Sequence, residues 1–307
     1  MKKIWIGIGI AVILALLNGC GGGGTSGGTG GGTTGGGTGG GTIPSATDLQ
    51  ALFPLTKGSQ WTYKNTRSDT FSTTLGEKHT ETRDIKETVT IPDPDTFTLQ
   101  VNQQSVVAYI QLTREQGTVT VDGVTQQRDS WHRNFWTNQN GEVRLWGDQD
   151  WQPPNTPPPY DDPNQGTWED PHVFQLLVGK AGVSTWSVGV MGEDMHIAEV
   201  SFQTNATATW STETVTVPAG TFNCNKVTIT LSPPALQNVH VPSNTKVTAL
   251  NEFTGQVEIW LAKGVGMVKS HFYWKLVGSF QRTDTGETGI ATLIHDEKEE
   301  LTSSNVK

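Results

Sequence analysis

From Trp61 onward, apolar and polar residues alternate in short runs. Thr88-Val89-Thr90-Ile91, Thr118-Val119-Thr120-Val121, Thr214-Val215-Thr216-Val217 and Val227-Thr228-Ile229-Thr230-Leu231 each place Thr on one side and Val, Ile or Leu on the other. A period of two sends successive side chains to opposite faces of an extended chain, so each run predicts a half-buried β-strand. Asp122-Gly123, Asn140-Gly141, Ala219-Gly220 and Thr254-Gly255 punctuate the runs as turns. Helical periodicity is confined to two short stretches, Ala46 to Leu52 ahead of Pro54, and Phe174 to Val178. The pattern predicts an all-β, antiparallel domain.

The strands repeat. Gly58-Ser59-Gln60-Trp61 is echoed by Gly182 to Trp186, and Glu87-Thr88-Val89-Thr90-Ile91-Pro92 by Glu213 to Pro218. Thr96-Phe97 answers to Thr221-Phe222, and Val101 to Val227. Trp136 with Gly141, Val143 and Arg144 matches Trp260 with Gly266, Val268 and Lys269. Every anchor keeps an offset between 124 and 126 residues. Short β motifs that resemble each other by accident would not hold one offset over eighty residues, so two tandem units are expected, about 53–151 and 175–295. Together they predict a sandwich or an open, curved half-barrel spanning 44–295. The charged end, 296–307, is expected to be a disordered tail.

The N-terminus reads as an address. Met1-Lys2-Lys3 is basic, and Ile4 to Leu17 is an apolar run too short for a comfortable transmembrane helix, as in a signal peptide covering 1–19. Leu17-Asn18-Gly19-Cys20 resembles the lipobox of bacterial lipoproteins, which implies that Cys20 becomes the first mature residue and carries lipid. Residues 21–42 are 15 Gly, 6 Thr and 1 Ser, a composition that cannot form a core. As a Gly-rich coil this tether, within 20–43, spans roughly 26 Å on average. Gly rather than Asp follows Cys20, so the resemblance implies outer-membrane sorting.

Phe53-Pro54-Leu55 with Gly58 and Trp61-Thr62-Tyr63, then Val217-Pro218-Ala219-Gly220-Thr221-Phe222, then Trp260-Leu261-Ala262-Lys263-Gly264-Val265-Gly266-Met267-Val268-Lys269, resemble a group of bacterial lipoprotein domains of unknown function. That group is similar in outline to the curved antiparallel sheets of periplasmic lipoprotein carriers. The resemblance implies a fold and an envelope location, and it brings no catalytic residue or cofactor with it.

Composition narrows the function further. The whole chain carries a formal net charge of −9. Loss of Lys2 and Lys3 with the leader leaves 19 basic against 30 acidic residues, net −11, and no basic patch for nucleic acid. Only Cys20 and Cys224 exist, so a lipidated Cys20 leaves Cys224 without an intramolecular partner; its alternating apolar surroundings predict a buried small hydrophobe. From Ile43 onward the chain lacks a Gly-x-Ser-x-Gly elbow, a His-Glu-x-x-His zinc motif, a phosphate-binding loop and a paired-Cys metal site. Ser243-Asn244-Thr245-Lys246 has the Ser-x-x-Lys spacing without the companion motifs. The seven histidines are scattered, and His132 and His271 read as structural strand residues flanked by aromatics. No cofactor and no enzyme activity are expected.

One segment departs from scaffold. The connection 147–172 is rich in Pro and acids, and holds Asp148, Asp150, Asp161 and Asp162 beside Trp151, Tyr160 and Trp168. No Lys or Arg occurs between Arg144 and Lys180. Flat rings beside carboxylates suit the stacking and hydroxyl bonding of a sugar, and the paired acids suit Ca²⁺ through oxygen, without EF-hand spacing. These seven residues are the candidate ligand site, with an envelope glycan or protein as partner and the membrane reached through Cys20. The leading expectation is a non-enzymatic binding or structural module. A lipid or lipoprotein carrier with a concave apolar face is the alternative, and a glycan or cell-wall hydrolase the second alternative.

Overall fold

The computed structural model describes residues 43–101, 103–151 and 171–307. The first half contains one short helix, α1 (Ala46–Leu52), and seven strands: β1 (Gln60–Thr73), β2 (Lys78–Thr90), β3 (Thr96–Val101), β4 (Gln104–Val121), β5 (Val124–Gln139), β6 (Glu142–Asp150) and β7 (His172–Lys180). The second half adds β8 (Thr185–Met195), β9 (Val200–Val217), β10 (Gly220–Leu231), β11 (Val239–His240), β12 (Thr245–Ala262), β13 (Gly266–Arg282) and β14 (Thr288–Asn305).

Twelve of these strands form one antiparallel path that curves into a nearly closed barrel. Its first arc is β1-β2-β4-β5-β6-β7 and its second is β8-β9-β10-β12-β13-β14. The arcs join where β14 pairs with β1, from Gln60 opposite Asn305 to Thr73 opposite Ala291. At the other junction, among the described residues, no ladder links β7 to β8. Side chains bridge that seam instead: Trp186 Nε1 donates to Leu177 O at 2.8 Å, and Trp210 Nε1 donates to Lys180 O at 2.8 Å. β3 pairs only with β4, and β11 extends the β10 edge against β9.

Both arcs run through the same strand order. Trp61 and Trp186 lie on the first strand of each, and Trp136 and Trp260 on the fourth, each beside a shift in register. The first hairpins are set differently, however, since Trp61 faces Val89 while Trp186 faces Ala208. The Pro…Thr-Phe corner also leads to different strands, β3 in one arc and β10 in the other.

Two sequence expectations need correction. Phe174 to Val178 is strand, inside β7, because a five-residue apolar run fits a ladder as well as a helix and β6 supplies the hydrogen bonds. The expected disordered tail is most of β14, paired on both sides. His295, Glu297, Glu299 and Leu301 point inward and are buried, with Asp296, Lys298 and Glu300 on the other face. Period two was present, but inward-facing acids disguised it as a solvated charge run.

Two glycines let strands approach. A Cβ on Gly117 would stand 2.1 Å from Asp84 O, and one on Gly147 2.3 Å from His172 O, both at positive φ. At one pole, α1 plugs the barrel. Ser45 caps it, accepting from Asp48 N while the Asp48 carboxylate accepts from Ser45 N, and Leu49 and Leu52 are fully buried.

Candidate functional site

The inward side chains form layers. Nearest the α1 pole, Trp61, Val89, Val215, Val217, Val268 and Leu301 make one apolar cluster. A larger one, including Leu145, Leu176, Phe202, Ile229, Phe272 and Trp274, fills the body of the barrel. Between the apolar ends, the inward residues are Asn65, Arg67 and Asp69 on β1 and His295, Glu297 and Glu299 on β14, all polar and buried. On β2 they are Glu81, Arg83 and Glu87, with the buried Ile85 between the last two.

In this polar layer, Asp69 accepts from Arg67 Nε at 2.8 Å and contacts His295 Nδ1 at 2.8 Å. Glu81 accepts from Arg83 Nε at 2.6 Å, and Glu115 pairs with Arg128. The Asn65 amide donates to Glu87 at 2.6 Å and to Glu297 at 2.7 Å. Burial pushes the Glu87 carboxyl well above the carboxylate range, and the nearby Glu299 charge adds to it. Burial likewise lifts Glu193, facing this layer from β8, to about 8. Glu115 shows the opposite balance: burial raises it, but Arg128, His132 and Arg83 outweigh burial and hold it at about 2. His132 is pressed down to about 4 by burial. The layer is a set of mutually paired buried charges. Among the described residues, no group of three or more His, Cys, Asp or Glu is arranged to hold a metal.

The pole opposite α1 is different. The hairpin turns β1–β2, β4–β5 and β13–β14, the 3-10 turn His196–Ala198 and the segment 232–244 all lie there, around a cavity of about 430 Å³. Phe71, Val200, Val239, Leu276, Phe280 and Leu293 line its walls. Its lip is polar, with Arg282 paired to Glu77, His79 Nδ1 2.8 Å from Asp122, and Glu199 among the lining residues. No single motif announces this cavity, since its wall residues come from seven segments and each looks like ordinary strand core. A second, much smaller cavity, about 80 Å³, lies under α1 between Leu52, Trp61 and Trp136.

The expected ligand residues are only partly brought together. Asp148 and Asp150 belong to β6, and Trp151 follows directly, its N–H bonded to Trp131 O at 3.0 Å. Asp148 is 1% exposed and lies 3.4 Å from His172 Nδ1 across the β6–β7 pair. Trp151 is 4% exposed, so its ring is not the open stacking platform expected of a loop. The ladder to β5 continues through Gln149 and Asp150 and takes these residues into the sheet. Tyr160, Trp168, Asp161, Asp162 and Cys20 lie outside the described residues. Cys224 is free and buried, with its thiol pushed up to about 11 by burial. Ser243 lies in the turn before β12 and Lys246 within β12, opposite Gln281, while Asn244 and Thr245 form part of the cavity lip.

Residues 171–277 match the family model described as DUF3108-like. Among solved structures, the chain is similar to a candidate lipoprotein from Parabacteroides distasonis ATCC 8503, at 14% identity and a TM-score of 0.28, covering 83% of this chain and 98% of that one. It is also similar to a candidate exported protein with a YmcC-like fold from Bacteroides fragilis NCTC 9343, at 13% identity and a TM-score of 0.27, covering 82% of this chain and 98% of that one. No curated protein matches.

Proposed function

We propose that this protein is a cell-envelope lipoprotein, anchored in the outer membrane through Cys20, whose barrel is a non-enzymatic module that binds a small apolar or amphipathic ligand in the mouth cavity. The cavity carries the reading. Its volume of about 430 Å³ falls within the roughly 300–1,000 Å³ typical of small-molecule sites, and Phe71, Val200, Val239, Leu276, Phe280 and Leu293 give it an apolar wall beside the polar lip. Its titratable groups, Glu77, His79, Glu199 and Arg282, sit at the lip, with Arg282 paired to Glu77 and His79 beside Asp122. The rest of the interior is filled by the protein's own side chains, which favours a binding site confined to one pole over a carrier with a long hollow face.

The anchor and the site are tested separately. Cys20→Ser is expected to move the protein from the membrane fraction to the soluble fraction or to block its processing, since stable attachment needs more than one acyl chain. Retention of the processed variant in the membrane would refute the anchor. For the site, the environment-sensitive dye phenylnaphthylamine should bind saturably to the full chain, with the signal lost when the cavity is filled by Ala291→Phe. Binding that ignores this substitution would move the ligand elsewhere.

A further inference from the structure

We infer that the mouth is a portal for a single hydrocarbon chain taken up from a lipid surface. The inference rests on the binding reading above and names the ligand class and its source. Several of the large apolar side chains left exposed lie at this end of the barrel, the others being spread over the rest of the described surface. Leu75, Val121, Val124 and Ile290 are 41%, 39%, 62% and 42% exposed, and all four lie at the turns of the mouth pole.

They form one arc. Thr74 N donates to Ile290 O at 3.0 Å and Ile290 N donates to Thr74 Oγ1 at 3.0 Å, which holds Leu75 beside Ile290. The Asp122 carboxylate, between Val121 and Val124, accepts from Thr80 N at 2.8 Å and contacts His79 on the cavity lip. Ala291, the next residue of β14, turns to the opposite face and lines the cavity, so Ile290 stands on the outer side of the rim with the cavity wall directly behind it.

Contiguous exposed apolar groups beside a polar lip mark a contact with another phase or molecule. The arc is wholly aliphatic, without the Trp, Tyr or Arg that anchor protein partners. A protein docked on the rim would also give no use to the cavity behind it, with its apolar wall. A lipid surface accounts for both: the arc enters the headgroup–acyl boundary, and one chain slides from it into the cavity. The space, at the lower end of the range for small-molecule sites, suits one chain rather than a diacyl lipid. Asn244 and Thr245 at the lip are placed to meet the polar end of a single-chain amphiphile.

The test uses the full chain carrying Cys20→Ser, so that no acyl group of its own competes, and dansylated undecanoic acid as the probe. The probe should bind saturably, palmitate should displace it, and Ala291→Phe should weaken binding about tenfold or more. Ala198→Leu, on the facing turn, is the second filling variant should the first fail to fold. A rim variant, Leu75→Ser with Val124→Ser and Ile290→Ser, should bind the probe from solution as the parent does but draw it from phosphatidylcholine vesicles several-fold more slowly. Uptake from vesicles at the parent rate would overturn the portal. If phenylnaphthylamine binds in the cavity and the fatty acyl probe does not, the binding reading stands and the chain is the wrong ligand class. If neither probe binds, both readings fall.

Discussion

Single residues in the polar layer set how stability depends on pH, and they pull in opposite directions. Asp69, Glu115 and Glu297 lie below the ordinary carboxylate range: burial raises each, but Arg67 and His295 offset it at Asp69 and Glu297, as Arg128 does at Glu115. A carboxylate lowered on folding contributes stability above its unfolded value, about 4, and that contribution is lost as pH falls further. Glu193 has the reverse sign. Its folded value of about 8 exceeds the unfolded 4.5, so its contribution is present below 4.5 and is lost as pH rises toward 8. Glu193→Gln should therefore gain melting temperature over the parent progressively from pH 5 to pH 8 and no further beyond. A constant difference across that range would show that Glu193 is ionised in the fold. Asp69→Asn leaves the 5%-exposed Arg67 side chain without its carboxylate and should cost about 3–5 kcal/mol by urea denaturation. A cost under about 1 kcal/mol, the value of a surface pair, would mean that water reaches the layer.

Among the elements, β14 separates what the sequence told from what it hid. Thr/Val alternation made the central strands visible, and the short helical stretch from Ala46 to Leu52 ahead of Pro54 made α1 visible, because these signals are local. In β14 the inward positions are His, Glu and Glu, so hydrophobic alternation stops at Leu293 although the strand runs to Asn305. Only the pairing partners explain those acids: Asn65, on the facing strand β1, donates to Glu297, and Ser270 on β13 donates to Glu299 at 3.2 Å. β6 hid its end in the same way, because Asp148-Gln149-Asp150 reads as the start of a loop until the ladder to β5 is known. Deleting residues 296–307 therefore removes most of the strand that joins the two arcs, as well as Leu301 from the core. It should abolish the cooperative thermal transition. A truncated chain that melted within a few degrees of the parent would return this segment to a dispensable tail.

Closure of the whole molecule has no local signature, since Trp61 meets Ser304 across 243 residues, yet it decides where the barrel is firm and where it opens. The same long-range assembly made the mouth cavity illegible in sequence, because Phe71, Val239, Phe280 and Leu293 acquire a common empty space only when the arcs close. The two junctions of the arcs are unequal. β14 and β1 share a ladder from Gln60 to Thr73 with one register shift, whereas β7 meets β8 and β9 through single tryptophan N–H bonds, from Trp186 of β8 and Trp210 of β9, whose ring centroids are 5.2 Å apart. Local opening costs least where few backbone bonds must break, so the β7–β8 seam is the expected breathing point and the β14–β1 junction part of the last structure to open. In native-state hydrogen exchange, the seam-facing amides of β7 and β8 should exchange at opening free energies well below the global value. The amides linking β14 to β1 should approach the global value. Equal protection at the two junctions would mean that the tryptophan bridges close the barrel as firmly as a ladder does. Earlier exchange at β14–β1 would reverse the order in which the arcs come apart.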